Sequence, residues 1–136
     1  MKCLLALDPG SDKCGYAVVR YDGTVGEKGV VALNGLAEIV SRICTSLGPD
    51  VVVIGKGTAG AQTHSLVRDV VGGILVDFGE EKHSTREARE RYFRENPPRG
   101  FWRLVPVGLQ FPPCPVDDYA AWIIGERYIQ THGLSA

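Results

Sequence analysis

The chain has 136 residues, of which 44% are hydrophobic and 23% are charged, and its formal net charge is -1. This length predicts a single domain over residues 1–136 with a substantial core, and the balanced charge excludes a disordered or broadly polycationic protein, so any nucleic-acid surface must be local. The apolar runs are too short to cross a membrane, and the amino-terminal residues lead into a strand rather than a signal peptide, which predicts a cytoplasmic protein.

The first part of the chain predicts an antiparallel meander followed by a helix. Leu4 to Leu7 and Gly15 to Val19 have strand character, and the Asp-Gly turn at 21–24 leads into a third strand that ends near Leu33. Apolar residues then recur at helical spacing, at Leu36, Ile39, Val40, Ile43 and Leu47. Gly48-Pro49 is a usual signal for the end of a helix.

The second part of the chain predicts alternating strands and helices. Val51 to Ile54 and Ile74 to Phe78 are apolar stretches of strand length that we expect to be buried, with a short helix around Ser65 to Val71 between them. A strand, helix, strand order implies that the two strands are parallel. A capping-box pattern opens a helix at Ser84, and a last helix follows the Pro- and Gly-rich loop that ends at Pro115.

Together these elements predict an α/β fold. Three antiparallel strands and two parallel strands would form one five-stranded mixed sheet, because a sheet flanked by helices is the layered arrangement that buries every apolar face. The chain contains no internal repeat and no linker-like segment. This agrees with a single domain.

Acidic residues follow several of the predicted elements. Asp8 ends the first strand, Glu80 and Glu81 follow the fifth, and Asp117 and Asp118 open the last helix. Singly, such residues are usually structural, as solvated turn acids or acids that complement a helix dipole. If the fold brings them together, their charges repel unless a divalent cation neutralises them. Oxygen ligands of this kind suit Mg²⁺ or Mn²⁺.

A glycine motif in the middle of the chain offers a rival interpretation. Gly55 to Gly60 matches the G-x-G-x-x-G pattern after a strand, and Asp77 ends the next strand at the distance typical of a dinucleotide-binding unit. Such a fold needs further parallel strands after the aspartate, whereas an Arg-rich helix and a Pro-rich loop follow here. The alternative is a glycine loop that binds no cofactor.

Arginines and aromatic residues are interleaved between residues 86 and 103. This combination is what phosphate clamping and base stacking require, which indicates a nucleic-acid surface. Glutamates within the same helix offset half of the arginine charge, and Glu87/Arg91 and Glu90/Arg94 are spaced for ion pairs. A salt-bridged, solvent-facing helix is therefore the alternative, and both interpretations stay open on this pattern.

Several motifs resemble those of the RNase H-like superfamily. The segment LALDPGSDKCGYAVV is similar to its opening hairpin, and the Asp-Pro-Gly-Ser within it resembles the start of the RuvC resolvases. VVVIG, GEEKHSTREARERYF and VDDYAAWIIGERYI resemble the central strand, the acidic strand-end motif and the terminal helix of the YqgF (RuvX) family. In RuvC resolvases the second acid follows the strand corresponding to Val51 to Ile54, where this chain has Gly55 and Lys56. The resemblance therefore favours YqgF and implies an RNase H-like fold.

The resemblance implies a metal-dependent nuclease. The family's catalytic carboxylates fall on Asp8, Glu81 and Asp117, which would hold Mg²⁺ or Mn²⁺, with Asp118 as a candidate for a further metal contact. Two such ions would activate a water and stabilise the leaving oxygen in phosphodiester hydrolysis. The residues expected to contact nucleic acid are Ser11, Lys13, Lys56, Arg86 and Arg89.

The resemblance also implies a substrate. It favours pre-16S ribosomal RNA, processed at its 5′ end, with Holliday-junction resolution as the alternative. A resolvase that cuts two strands needs a symmetric dimer, so the chain is expected to be a monomer or a homodimer. An interpretation of a different class is an RNase H-like factor that binds nucleic acid without cleaving it.

Overall fold

A computed structural model describes residues 2–57, 59–80, 84–97, 104 and 117–134 of the chain. These residues form five β-strands: β1 (Cys3–Pro9), β2 (Lys13–Arg20), β3 (Val25–Ala32), β4 (Val51–Gly55) and β5 (Leu75–Gly79). They also form four α-helices: α1 (Leu36–Leu47), α2 (Gly60–Val71), α3 (Ser84–Glu95) and α4 (Asp117–His132). A short 3₁₀ turn, Leu33–Gly35, precedes α1.

The strands form one mixed sheet in the order β3-β2-β1-β4-β5. β2 pairs antiparallel with both β1 and β3, whereas β4 pairs parallel with both β1 and β5. The predicted sheet, with a three-strand meander and two parallel strands, is confirmed. Because β1, β4 and β5 are parallel, their carboxyl ends lie at the same edge of the sheet.

The two faces of the sheet carry different helices, because side chains alternate along each strand. On one face, Leu5 and Leu7 of β1 belong to a buried cluster with residues of α1 and α2. On the other face, Leu4 and Ala6 belong to a buried cluster with residues of α4. Asp8 continues the second series, so the alternation places it on the α4 face at the end of the central strand.

β5 lies at an edge of the sheet and is more exposed than the sequence predicts. Leu75 is 61% exposed and Phe78 is 37% exposed. Among the described residues β5 is hydrogen-bonded to β4 alone and ends the sheet, so no second strand lies along its outer edge. Phe78 keeps partial cover from His64, whose ring stacks at 5.1 Å between centroids. The prediction that this strand is buried is therefore wrong.

α3 is joined to α4 by ion pairs between the two helices. Arg91 donates two hydrogen bonds of 3.1 Å to the Glu126 carboxylate and lies 4.5 Å from the Trp122 ring centroid. Arg127 of α4 pairs with Glu87 of α3. The predicted pair Glu87/Arg91 within α3 is therefore wrong, because both side chains find oppositely charged partners on α4.

The described residues contain no helix that is long and apolar enough to span a lipid bilayer.

Candidate active site

A cleft opens at the carboxyl end of β1, where Asp8 meets the first turn of α4. It has a volume of about 190 Å³ and is lined by residues of β1, of the turn before β2 and of α4: Asp8, Pro9, Gly10, Ser11, Asp12, Lys13 and Asp117. Two of the three predicted carboxylates, Asp8 and Asp117, therefore come from opposite ends of the sequence into one cleft.

Gly15 explains how α4 comes so close to Asp8. Gly15 stands directly opposite Asp8 in the pairing of β1 with β2. A Cβ atom added to Gly15 would lie 2.1 Å from the main-chain oxygen of Asp117 and 2.8 Å from its Cβ atom. Because those distances are far below van der Waals contact, only a glycine at this position lets the first turn of α4 rest on β2 beside Asp8.

Gly15→Ala should lower the free energy of unfolding by about 2 kcal/mol or more, because the added methyl group meets main-chain atoms that cannot rotate away. Urea unfolding followed by circular dichroism measures this loss. Gly73→Ala is the matched control, since nothing lies within 4 Å of a Cβ atom there, and it should change stability by less than about 0.5 kcal/mol. Equal losses for the two variants would contradict the close approach of α4 to β2.

The surroundings of this cleft raise the pKa of the buried Cys14 thiol. Burial and the nearby carboxylates of Asp8 and Asp117 raise the pKa of Cys14 to about 12. The thiol therefore stays protonated at neutral pH.

Asp118 is held by β3. Lys28 Nζ donates a hydrogen bond of 2.9 Å to Asp118 Oδ2, and the other carboxylate oxygen accepts a hydrogen bond of 3.0 Å from the Tyr119 N–H. Lys28 Nζ also lies 4.0 Å from the Tyr119 ring centroid. A metal contact by Asp118 stays a prediction, and it would have to compete with this lysine.

The third predicted carboxylate, Glu81, lies outside the described residues. β5 ends at Gly79, whose main-chain oxygen accepts a 3.0 Å hydrogen bond from the Lys56 N–H, and Glu80 follows with an exposed side chain. The ends of β4 and β5 therefore bring Lys56 and Glu80 to the edge of the sheet where β1 presents Asp8. Within the described ranges, no three His, Cys, Asp or Glu side chains are grouped closely enough to hold a metal ion.

The predicted nucleic-acid contacts lie in two places. Ser11 and Lys13 are exposed in the lining of the cleft, and Lys56 is exposed at the end of the neighbouring strand β4. Arg86 and Arg89 lie on α3, which packs against α4. Contact of these five residues with nucleic acid stays a prediction.

Arg86 and Glu90 form an exposed ion pair on α3. Their side-chain atoms Nε and Oε1 are 3.3 Å apart, and the Arg86 side chain is 81% exposed. Glu90 therefore pairs with the arginine one turn before it, and the predicted pair of Glu90 with Arg94 is wrong. Because exposed pairs of this kind contribute little to stability, Arg86 remains accessible to a phosphate.

Asp12 is a cleft residue that the sequence pattern does not single out. It lies in the turn between β1 and β2, with an exposed side chain, and its main-chain oxygen accepts a 3.1 Å hydrogen bond from the Leu33 N–H. The available signal is its position within the Asp-Pro-Gly-Ser-Asp turn after β1. A turn acid is usually only solvated, so this signal alone does not distinguish it.

Asp77 accepts a hydrogen bond from α4, and this contact argues against the rival dinucleotide-binding interpretation. Its Oδ2 atom accepts a 2.9 Å hydrogen bond from the Tyr128 hydroxyl, and its Oδ1 atom accepts one of 2.8 Å from the Phe78 N–H. Burial and this carboxylate raise the pKa of Tyr128 to about 12. Asp77 is thus a structural acceptor, and the mixed strand order excludes the dinucleotide-binding fold.

Comparison with solved structures identifies the fold. The chain is similar to RuvC from T. thermophilus in complex with a Holliday junction substrate, with a TM-score of 0.62 and 14% identity over 98% of this chain and 96% of that chain. A second Thermus thermophilus RuvC structure gives a TM-score of 0.61 and 15% identity, covering 96% of both chains. No model of a known protein family matches the chain, and no curated protein matches it significantly. The chain therefore has an RNase H-like fold like that of RuvC, as the resemblance of its motifs implies.

Proposed function

We propose that this chain is a metal-dependent nuclease that hydrolyses phosphodiester bonds in nucleic acid. The observation that carries the proposal is the meeting of Asp8 and Asp117 in one cleft at the carboxyl edge of the sheet. The fold of the chain supports the same proposal, because the similar RuvC structure holds a Holliday junction substrate. Glu81, which follows β5, is proposed as the third carboxylate.

The two carboxylates of the cleft are chemically suited to a divalent metal ion, and Glu81 is proposed to complete the ligand set. Asp8 and Asp117 line one cleft, and two carboxylates in one site repel each other unless a cation lies between them. Carboxylate oxygens are hard ligands of the kind that Mg²⁺ and Mn²⁺ prefer. Two bound ions would supply an activated water and stabilise the leaving oxygen of the phosphodiester. Asp8, Asp117 and Glu81 would hold them as ligands, with no carboxylate acting as a nucleophile.

The remaining cleft residues are suited to hold the substrate phosphate. Lys13 presents an ammonium group and Ser11 a hydroxyl group in the cleft lining, so both can donate hydrogen bonds to phosphate oxygens beside the two carboxylates. Lys56 extends this donor surface to the end of β4. Such contacts position the nucleic-acid backbone without reading its sequence.

Two substrates are candidates for this nuclease. The resemblance to YqgF, with Lys56 where RuvC resolvases carry an acid, favours 5′-end processing of pre-16S ribosomal RNA. The similarity to a RuvC bound to a junction favours Holliday-junction resolution as the second candidate. A resolvase would act as a homodimer and an RNA-processing nuclease could act as a monomer, so the solution mass of the junction complex separates the two.

Cleavage of defined substrates tests the proposed function. The chain is incubated with Mg²⁺ or Mn²⁺ and with labelled single-stranded RNA, duplexes and four-way DNA junctions. Cutting of RNA supports rRNA processing, and paired cuts in the junction support resolution. Binding of these substrates with no cleavage of any of them would contradict the proposal and indicate the alternative class, a nucleic-acid-binding factor of the same fold.

Replacing Arg86 and Arg89 together by alanine should weaken nucleic-acid binding and its salt dependence. If both arginines contact phosphates, the slope of log K against log[salt] should fall by about two, one for each contact. Fluorescence anisotropy at several salt concentrations measures the slope. Arg42 and Arg68 are exposed on α1 and α2, on the opposite face of the sheet, so their double alanine variant is the control. Equal slopes for the wild type and the Arg86/Arg89 variant would mean that these two arginines are solvated and do not contact phosphates.

A further inference from the structure

We infer that Lys28 is a positioning residue for the candidate metal centre, because it holds the first turn of α4 through Asp118 and so keeps Asp117 beside Asp8. This inference rests on the proposed function. Lys28 lies in the middle of the edge strand β3, and Asp118 is 90 residues further along the chain. The contact between them therefore ties the far edge of the sheet to the helix that carries one of the proposed ligands.

The contact is partly shielded from water and has two components. Lys28 Nζ lies 2.9 Å from Asp118 Oδ2, and the two side chains are only 25% and 15% exposed. The same ammonium lies 4.0 Å from the centroid of the Tyr119 ring, which is buried. Because screening and solvation are reduced there, the pair holds its geometry better than an exposed ion pair.

The geometry explains why a contact to Asp118 orients Asp117. Adjacent residues of a helix are rotated by about 100° around its axis, so fixing one side chain fixes the direction of the other. Lys28 holds Asp118 towards β3, while the main chain of Asp117 rests on Gly15 of β2, directly opposite Asp8. These two contacts on neighbouring strands set the rotation of the first turn of α4.

The next residue of β3 provides a matched control. Glu27 precedes Lys28, so its side chain lies on the other face of the sheet, where it pairs with Arg42 of α1. Both residues are partly buried, both form ion pairs, and they share one strand. Glu27→Gln therefore removes a comparable charge from β3 without touching α4.

The test compares Lys28→Met, Lys28→Arg and Glu27→Gln. Methionine keeps the apolar stem of the lysine but removes the ammonium, so the first turn of α4 should loosen. We expect amide hydrogen exchange at 121–123, whose N–H groups donate to the carbonyls of the first turn, to accelerate by about tenfold, with little change at 126–130. The kcat of metal-dependent cleavage should fall by about tenfold, with KM for nucleic acid within about twofold. Lys28→Arg should restore most of the loss, and Glu27→Gln should change neither quantity.

A double-mutant cycle tests whether Lys28 acts through Asp118. In an Asp118→Ala background the ammonium has lost its carboxylate partner, so Lys28→Met should add little further loss of kcat. Losses that simply add would overturn the inference, as would unchanged exchange in the first turn of α4 or an unchanged kcat in an active enzyme. If the wild type cleaves nothing, the proposed function fails separately, and the exchange rates together with Mn²⁺ affinity still decide the role of Lys28.

Discussion

Asp8→Asn should lower the rate of metal-dependent cleavage by about a thousandfold or more while leaving the fold intact. Asparagine has the same shape, but it lacks the charge that a shared metal site needs, and catalytic groups that act as a unit fail together when one is lost. Initial rates in Mg²⁺ and in Mn²⁺, with thermal unfolding as the check on the fold, measure the effect.

Asp50→Asn is the matched control for Asp8→Asn. Asp50 directly precedes β4, at the opposite end of the parallel strands, and its Oδ2 atom accepts a 3.1 Å hydrogen bond from the Tyr21 hydroxyl. Asparagine keeps an oxygen that can accept this bond, so both cleavage and stability should stay close to those of the wild type. Full activity of the Asp8→Asn variant would remove Asp8 from the metal centre.

Asp117→Asn should also lower the rate of cleavage by orders of magnitude, whereas Asp118→Asn should lower that rate by less than about tenfold. Asp117 lines the cleft with Asp8, while Asp118 is hydrogen-bonded to Lys28. Asparagine at 118 still offers Lys28 an oxygen, so the first turn of α4 keeps much of its support. Kinetics at saturating Mg²⁺ distinguish the two positions, and the reverse order of losses would move the proposed ligand from Asp117 to Asp118.

Most of the fold could be predicted from local periodicity. α1 spans the same residues as the helical spacing of its apolar side chains, and it ends where Gly48 adopts a φ of 57°, the left-handed conformation that favours glycine. The strand, helix, strand order after α1 correctly predicts parallel pairing of β4 with β5. These features depend on neighbours in the sequence, which is why the sequence reveals them.

The exposure of β5 and the ion pairs of α3 could not be predicted in the same way. An apolar strand has the same composition at the centre of a sheet and at its edge, so Leu75 gives no sign of its 61% exposure. Spacing within α3 predicts the pair Glu87/Arg91, but the competing partners Glu126 and Arg127 belong to α4. Both errors concern the order or contacts of whole elements, which local spacing does not encode.

The candidate site could be predicted in part. Asp8 stands out in the sequence because it is a carboxylate at the end of a buried strand. Asp117 is predicted from the resemblance of the last helix to the terminal helix of the YqgF family. Their meeting depends on Gly15, which admits the main chain of Asp117, and no sequence periodicity links those two residues. No sequence periodicity links Lys28 to its partner Asp118 either, because the two residues are 90 positions apart.

Reversible metal dependence of cleavage is the most direct test of the account. The purified chain is assayed on single-stranded RNA and on a four-way DNA junction in Mg²⁺, then in excess EDTA, and again after Mn²⁺ is restored in excess over the chelator. Carboxylates that serve as metal ligands predict cleavage with either ion, none in EDTA and recovery on addition of Mn²⁺. Cleavage that continues at the same rate in EDTA, and equally in Asp8→Asn, would contradict a metal centre at Asp8 and Asp117.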